Sequence, residues 1–255
     1  MKILAVEFSS ARRSIAITEG ILRVPHDLDS PLAVTVLSSL QAEDHDARGL
    51  AALGLVEQAL QAAGLEREQI EAIAVGLGPG SYTGIRAAIA LARGWQLARL
   101  VQLTGLGSMD CLAAQASALG WTDRLHLLVD AQRGEFYYGA YELASGSAQV
   151  GAQALSATPS STRTPLPAGT WRCLEPLRII TPAEASIIAA SPGILAGPEI
   201  HRWFPQGRLL FPDAAMLGRL VAAAPVFAAH EPSLEPIYLR PTQYVKAPPL
   251  RVTPN

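Results

Sequence analysis

Short apolar runs broken by turn residues dominate the first third of the chain. Lys2–Phe8 (KILAVEF) and Ser14–Glu19 (SIAITE), joined by SSARR, predict a β-hairpin. The turn-rich PHDLDSP at 25–31 follows, and Val34–Ser38 reads as a third strand. Residues 45–63 switch to helical periodicity, with Asp44 or Asp46 as N-cap and Gly64 just past the end. The strand Ala72–Val75 then runs into GLGPGSYTGIRAAIALARG at 76–94, a glycine loop that launches a helix near Thr83 or Gly84 and carries it to about residue 99. Val101–Leu103 reads as a short strand, and Ser108–Leu119 as a helix capped by Ser108.

After Gly120 the pattern begins again. Leu125–Asp130 is an apolar strand, Gln132–Gly134 a turn, and Glu135–Leu143 an aromatic strand whose Phe136, Tyr137, Tyr138 and Tyr141 read as packing. The stretch between Glu142 and Arg163 carries no charge and predicts a small edge strand with an irregular loop. Thr181-Pro182-Ala183-Glu184 is a capping box opening a helix to about Ala190; Ile194–Gly197 is a strand and Asp213–Ala223 a final helix. LAVE at 4–7 and LLVD at 127–130 each end an apolar strand in a carboxylate, and each precedes an arginine-bearing turn. Both halves thus run strand, turn, strand, strand, helix, strand, helix, which predicts an α/β chain with mixed sheets flanked by helices. The expected organisation is 1–104, 105–235 and an extended, proline-bearing tail over 236–255 that packs back on the body.

Composition narrows the function. At 255 residues and 49% apolar content the chain can bury a large core, while a formal charge of -2 gives no basic footprint for binding nucleic acid unaided. The short apolar start interrupted by Glu7 reads as a buried strand rather than a leader, and no uncharged run nears the roughly 20 residues of a spanning helix. Cys111 and Cys173, without a CxxC, fit a reducing cytoplasm. His26, His45, His126, His201 and His230 never fall at HxxxH or HxH spacing, so no metal site is expected. No lysine lies near the glycine loop, GxSxG is absent, and the turn after Glu7 has no glycine; Walker, hydrolase and phosphate-hairpin chemistry are all disfavoured. The candidate ligand contacts are Gly78, Gly80, Ser81, Thr83, Glu7 and Asp130, although Ser81 or Thr83 equally reads as a helix cap and Asp130 as the cap of the DAQRG turn.

GPGSYTGIR at 78–86, DAQRGEFYYGAY at 130–141, LAGPEIHRWFP at 195–205 and PIYLRP at 236–241 occur in the order and spacing of one known family. The chain resembles the bacterial tRNA threonylcarbamoyladenosine biosynthesis proteins called TsaB or YeaZ, of the glycoprotease-like, actin-like ATPase superfamily. The family commonly has Asp where Glu7 stands. What this resemblance implies is two actin-like (ribonuclease H-like) domains, each a mixed β-sheet flanked by helices, and a role as a scaffold subunit. Its partners would be a TsaD homologue, in which the chemistry resides, and the ATPase TsaE, with tRNA reached only through the complex. It also implies a homodimer when the chain is alone, no tightly bound cofactor, and ATP or ADP at the interface of the assembled complex.

Apolar residues surround almost the whole of the helices 47–63 and 84–99, more than one stripe against a sheet requires. The expected partner-facing positions are Leu50, Leu53, Val56, Glu57, Leu60, Ile85, Arg86, Ile89, Ala90 and Arg93, with Arg86 and Arg93 on one side. Burial inside the monomer is the competing reading. A stand-alone actin-like ATPase or small-molecule kinase, and more remotely a peptidase, are the alternative functions.

Overall fold

The computed structural model describes residues 1–20, 34–43, 51–143, 171–223 and 234–240. In chain order the elements are β1 (Lys2–Glu7), β2 (Arg12–Gly20), β3 (Val34–Glu43), α1 (Ala51–Ala63), β4 (Ala72–Gly76), α2 (Tyr82–Ala98), β5 (Gln102–Leu106) and α3 (Ser108–Ala118). The second series is β6 (Asp123–Asp130), β7 (Phe136–Leu143), β8 (Trp171–Ile180), α4 (Pro182–Ala189), β9 (Ile194–Gly197), β10 (Arg208–Leu209) and α5 (Ala214–Ala223).

The strands form two five-stranded sheets, ordered β3-β2-β1-β4-β5 and β10-β9-β6-β7-β8. In each, the first strand of the series pairs antiparallel with a hairpin partner on one side and parallel with a later strand on the other. This duplicated mixed sheet is the actin-like, ribonuclease H-like arrangement.

Alternation of side chains along the strands decides which helix covers which face. Leu4, Val6, Ile15, Ile17, Ile73 and Val75 share a core with Val56, Ala59 and Leu60 of α1 and Ile85, Ala88 and Ile89 of α2. Ile3, Ala5, Ala16, Ala72 and Ala74 face Leu217 and Val221 of α5 instead. Small residues let α5 approach closely: a Cβ on Gly218 would lie 2.7 Å from the Thr18 side chain. The final helix therefore sits on the first sheet, while α3 packs on the second through Leu112 and Ala116. The opposite face of the second sheet carries α4 and the aromatic strand, where Phe136 and Tyr138 are buried as packing.

Several expectations need correction. β8 lies over 171–180, beyond the 142–163 stretch expected to hold an edge strand; residues 144–170 lie outside the described residues. Its period-2 signal is weakened by Pro176, which sits where the register with β7 shifts, the position an edge strand tolerates. Gly107, not Ser108, is the N-cap of α3. β3 continues to Glu43, five residues past its expected end, and β5 to Leu106. Asp44, Asp46 and 25–31 lie outside the described residues, as do 241–255 of the expected tail.

Candidate functional site

β1 and β6 end at equivalent positions of the two sheets, and their terminal carboxylates fare differently. Glu7 is fully buried, accepting hydrogen bonds from the Ser9 amide (2.8 Å) and the Ser108 hydroxyl (2.8 Å). Burial pushes its carboxyl above the usual carboxylate range, and the neighbouring Asp213 charge adds to this, against the Ser9 and Ser108 hydrogen bonds. Asp130 keeps one edge toward solvent. It accepts from the Gln132 amide (2.7 Å) and side chain (3.2 Å), and Arg202 stands 4.0 Å away. Asp130 thus caps the DAQRG turn, where Gln132, Arg133 and Gly134 all take positive φ.

The glycine loop is built around the first hairpin. A Cβ on Gly76 would fall 1.9 Å from the Glu7 carboxylate; on Gly80, 2.0 Å from the Ser9 carbonyl oxygen; on Gly84, 2.0 Å from the Phe8 carbonyl oxygen. The Ser81 amide donates to that Ser9 carbonyl at 2.7 Å, and the Ser81 hydroxyl accepts from the Gly84 amide at 3.2 Å, making Ser81 the cap of α2. The Gly78 amide donates to Ser108 Oγ (3.2 Å), while the Ser108 amide donates to the Gly78 carbonyl (2.7 Å). The Gly78–Pro79 bond is cis. The glycines therefore serve close packing of hairpin, loop and α3, and Thr83 lies exposed in the first turn of α2.

Ser108 was legible only as a cap, because its true partner is Glu7, 101 residues away. Glu199, after β9, accepts from the Ala11 amide of the first hairpin; burial raises its carboxyl pKa, the Ala11 hydrogen bond opposes this, and the nearby Asp130 charge reinforces it. Asp213 accepts from the Ser14 hydroxyl (3.0 Å), which itself accepts from the Ala214 amide (3.1 Å). Glu7, Asp130, Glu199 and Asp213 are thus held mainly by backbone amides and serine hydroxyls. Among the described residues no group of three or more metal-binding side chains gathers, and no described helix is long and apolar enough to cross a membrane. His126 is buried between the Tyr138 hydroxyl (3.0 Å) and the Pro192 carbonyl (3.3 Å); His26, His45 and His230 lie outside the described residues.

The two helices proposed to meet a partner lie on one face of the first sheet, α1 over β2 and β3, α2 over β4 and β5. Val56, Leu60, Ile85 and Ile89 point inward and are buried in the first core, so they cannot meet another chain directly. Their apolar stripe is the one the sheet requires. Leu50 lies outside the described residues. Leu53, Glu57, Arg86, Ala90 and Arg93 do face outward, Leu53 at 57% exposure. Leu97 (91%) and Leu100 (104%) extend the apolar surface at the end of α2; Leu97 belongs to the all-round apolar pattern of 84–99 but is not among the expected partner contacts, and Leu100 lies just beyond that range.

Comparison with known proteins bears on this arrangement. A family model described as TsaD, tRNA N6-adenosine threonylcarbamoyltransferase, matches residues 42–169, half of the chain. The chain belongs to the TsaD family. Within that family its likeness is to TsaB, also called YeaZ. It is 32% identical to Escherichia coli tRNA threonylcarbamoyladenosine biosynthesis protein TsaB over 90 residues, 35% of this chain and 39% of that protein. The TsaB of Bacillus subtilis is 27% identical over 146 residues, 57% of each chain. The chain thus spans from about two fifths to somewhat over half the length of these curated relatives. A solved structure described as YeaZ from Pseudomonas aeruginosa shares the fold, with TM-score 0.62 at 21% identity, covering 93% of this chain and 99% of that one.

Proposed function

We propose that this chain is a non-catalytic scaffold subunit for the synthesis of N6-threonylcarbamoyladenosine at position 37 of tRNA, binding and activating a TsaD homologue together with a TsaE ATPase. The observation that carries the reading is the outer face of α1 and α2, where Leu53 on α1 and Leu97 on α2 stand exposed, with Arg86 and Arg93 exposed along α2 and Leu100 just past its end. Exposed leucines on neighbouring helices, edged by arginine, are the composition of a helix-to-helix interface. The names of the TsaB relatives supply the pathway. When alone, the chain uses the same face for a homodimer. ATP or ADP binds where the assembled complex brings the cleft against its partner, and the complex works in the cytoplasm.

The deciding experiment is co-purification with a TsaD homologue, repeated with Leu53→Asp and Ala90→Asp, both outward-facing substitutions. Loss of the complex with the fold intact supports the interface; undiminished recovery refutes it. A stand-alone actin-like ATPase is the second reading, favoured by the equivalent placing of Glu7 and Asp130 at the ends of β1 and β6. ATP turnover by the purified chain that vanishes in Asp130→Ala would establish it in place of the scaffold.

A further inference from the structure

Residues 234–240 run without regular secondary structure across both halves of the molecule. Leu234 is buried in the first core, and the Ile237 amide donates to the Leu77 carbonyl at the mouth of the glycine loop (2.9 Å). Tyr238 stacks on Tyr82 in the first turn of α2, ring centroids 5.3 Å apart and planes at 23°. Arg86, one turn further on, donates to the Tyr82 hydroxyl (3.1 Å), lies 5.2 Å from that ring and hydrogen-bonds Tyr238. Two residues later the segment reaches the other sheet: Arg240 donates to the Ala131 carbonyl (3.3 Å) and forms an ion pair with Glu135, both on the turn after β6.

We propose that this segment is a clasp coupling the first turn of α2 to the angle between the two sheets. Two residues of chain reach at most about 7 Å, so the attachments of Tyr238 and Arg240 are closely linked along the segment. Lifting Tyr238 from Tyr82 therefore draws Arg240 away from Glu135, and the second sheet loses this one of its ties to the first half. A partner helix that offers a carboxylate to Arg86 and an apolar side chain to Tyr82 competes directly with Tyr238. Its binding loosens the angle between the two sheets. The coupling stands on the contacts of this chain alone; only its trigger rests on the partner reading of α1 and α2.

The test uses the full chain with nitroxide labels at Gln61→Cys on α1 and Ile187→Cys on α4, both exposed, in a Cys173→Ser background. The distance distribution is expected to be narrow with the clasp intact, and broader and longer in Arg240→Ala, Glu135→Gln and Tyr82→Ala. Exchange of the Ile237 amide is expected to be about fivefold faster in the same variants. Unchanged protection of Ala5 and Leu127 in the central strands controls for folding. A distribution unmoved in both Arg240→Ala and Glu135→Gln overturns the clasp; one that moves in those variants but not in Tyr82→Ala overturns the coupling. Bound TsaD homologue should reproduce the broadening, and a narrow distribution in a verified complex overturns the trigger. Failure of the homologue to bind counts against the scaffold reading, while the variants still decide the coupling.

Discussion

The same substitution at two points of α2 should have opposite effects. Gly84 packs so tightly that an alanine Cβ would lie 2.0 Å from the Phe8 carbonyl oxygen, whereas Gly94, ten residues on, has nothing within 4 Å of that position. Approaches under 3.0 Å are essentially never seen for a real Cβ, so Gly84→Ala must push α2 and β1 apart by on the order of 1 Å against main-chain atoms. Overpacking of this kind costs about 1–3 kcal/mol, offset by up to ~1 kcal/mol of helix propensity, for a net loss of roughly 1–2 kcal/mol. Gly94→Ala keeps only the propensity gain, about 0.5–1 kcal/mol. Urea denaturation at matched protein concentration reads the difference as midpoints moving in opposite directions at constant slope. Melting temperatures should separate by on the order of 5–10 °C. Equal shifts for the two variants would refute the packing account of the glycine loop, since propensity alone predicts equal gains.

Two further outcomes concern the half-buried Asp110 and the buried Ser14. Burial lifts the Asp110 carboxyl from its ordinary 3.8 to about 7, against a hydrogen bond from the Tyr141 hydroxyl. The folded chain retains this proton where the unfolded chain releases it, so stability falls as pH rises through that window. Asp110→Asn should flatten the slope, and a curve of urea midpoint against pH identical to the parent's would count against the assignment. Ser14 is buried, donating to Asp213 and accepting from the Ala214 amide, so Ser14→Ala leaves a buried donor unpaired and should cost about 1–3 kcal/mol. A change within about 0.5 kcal/mol in the same denaturation assay would show that Ser14 is not what pins α5 to the first sheet.

What could be read from the sequence was local. The Thr181–Glu184 capping box forms as its spacing predicts, with the Thr181 hydroxyl accepting from the Glu184 amide, because every partner lies within one turn. Most of the duplicated strand order was legible for the same reason, the central strands carrying their own apolar runs, while β8 was misplaced and the two-residue β10 has no such run. Long-range pairings were not. Ser108 looks like a cap until Glu7 is brought beside it, and nothing near residue 214 tells that α5 crosses to the first sheet. The excess of apolar residues on α1 and α2 overstated the free surface: alanines at 88 and 92 and isoleucines at 85 and 89 satisfy the sheet, and the exposed remainder lies at Leu53, Leu97 and Leu100. PIYLRP was visible as a motif, but its two attachments, Tyr82 and Glu135, lie far from it in sequence.

The seat of α5 has a consequence for how the molecule is made. β1 and β4 emerge from the ribosome long before residues 214–223, and at about 5–20 residues per second the delay is on the order of ten seconds. Throughout that interval the Ile3, Ala5, Ala16, Ala72 and Ala74 face of the first sheet lacks Leu217 and Val221 of α5. Alanine at four of those five positions keeps the waiting surface poor in bulky groups, which limits its adhesion to other nascent chains. Cutting the chain near residue 104 consequently does not release an autonomous half, because the helix that covers the first sheet is translated only after residue 213.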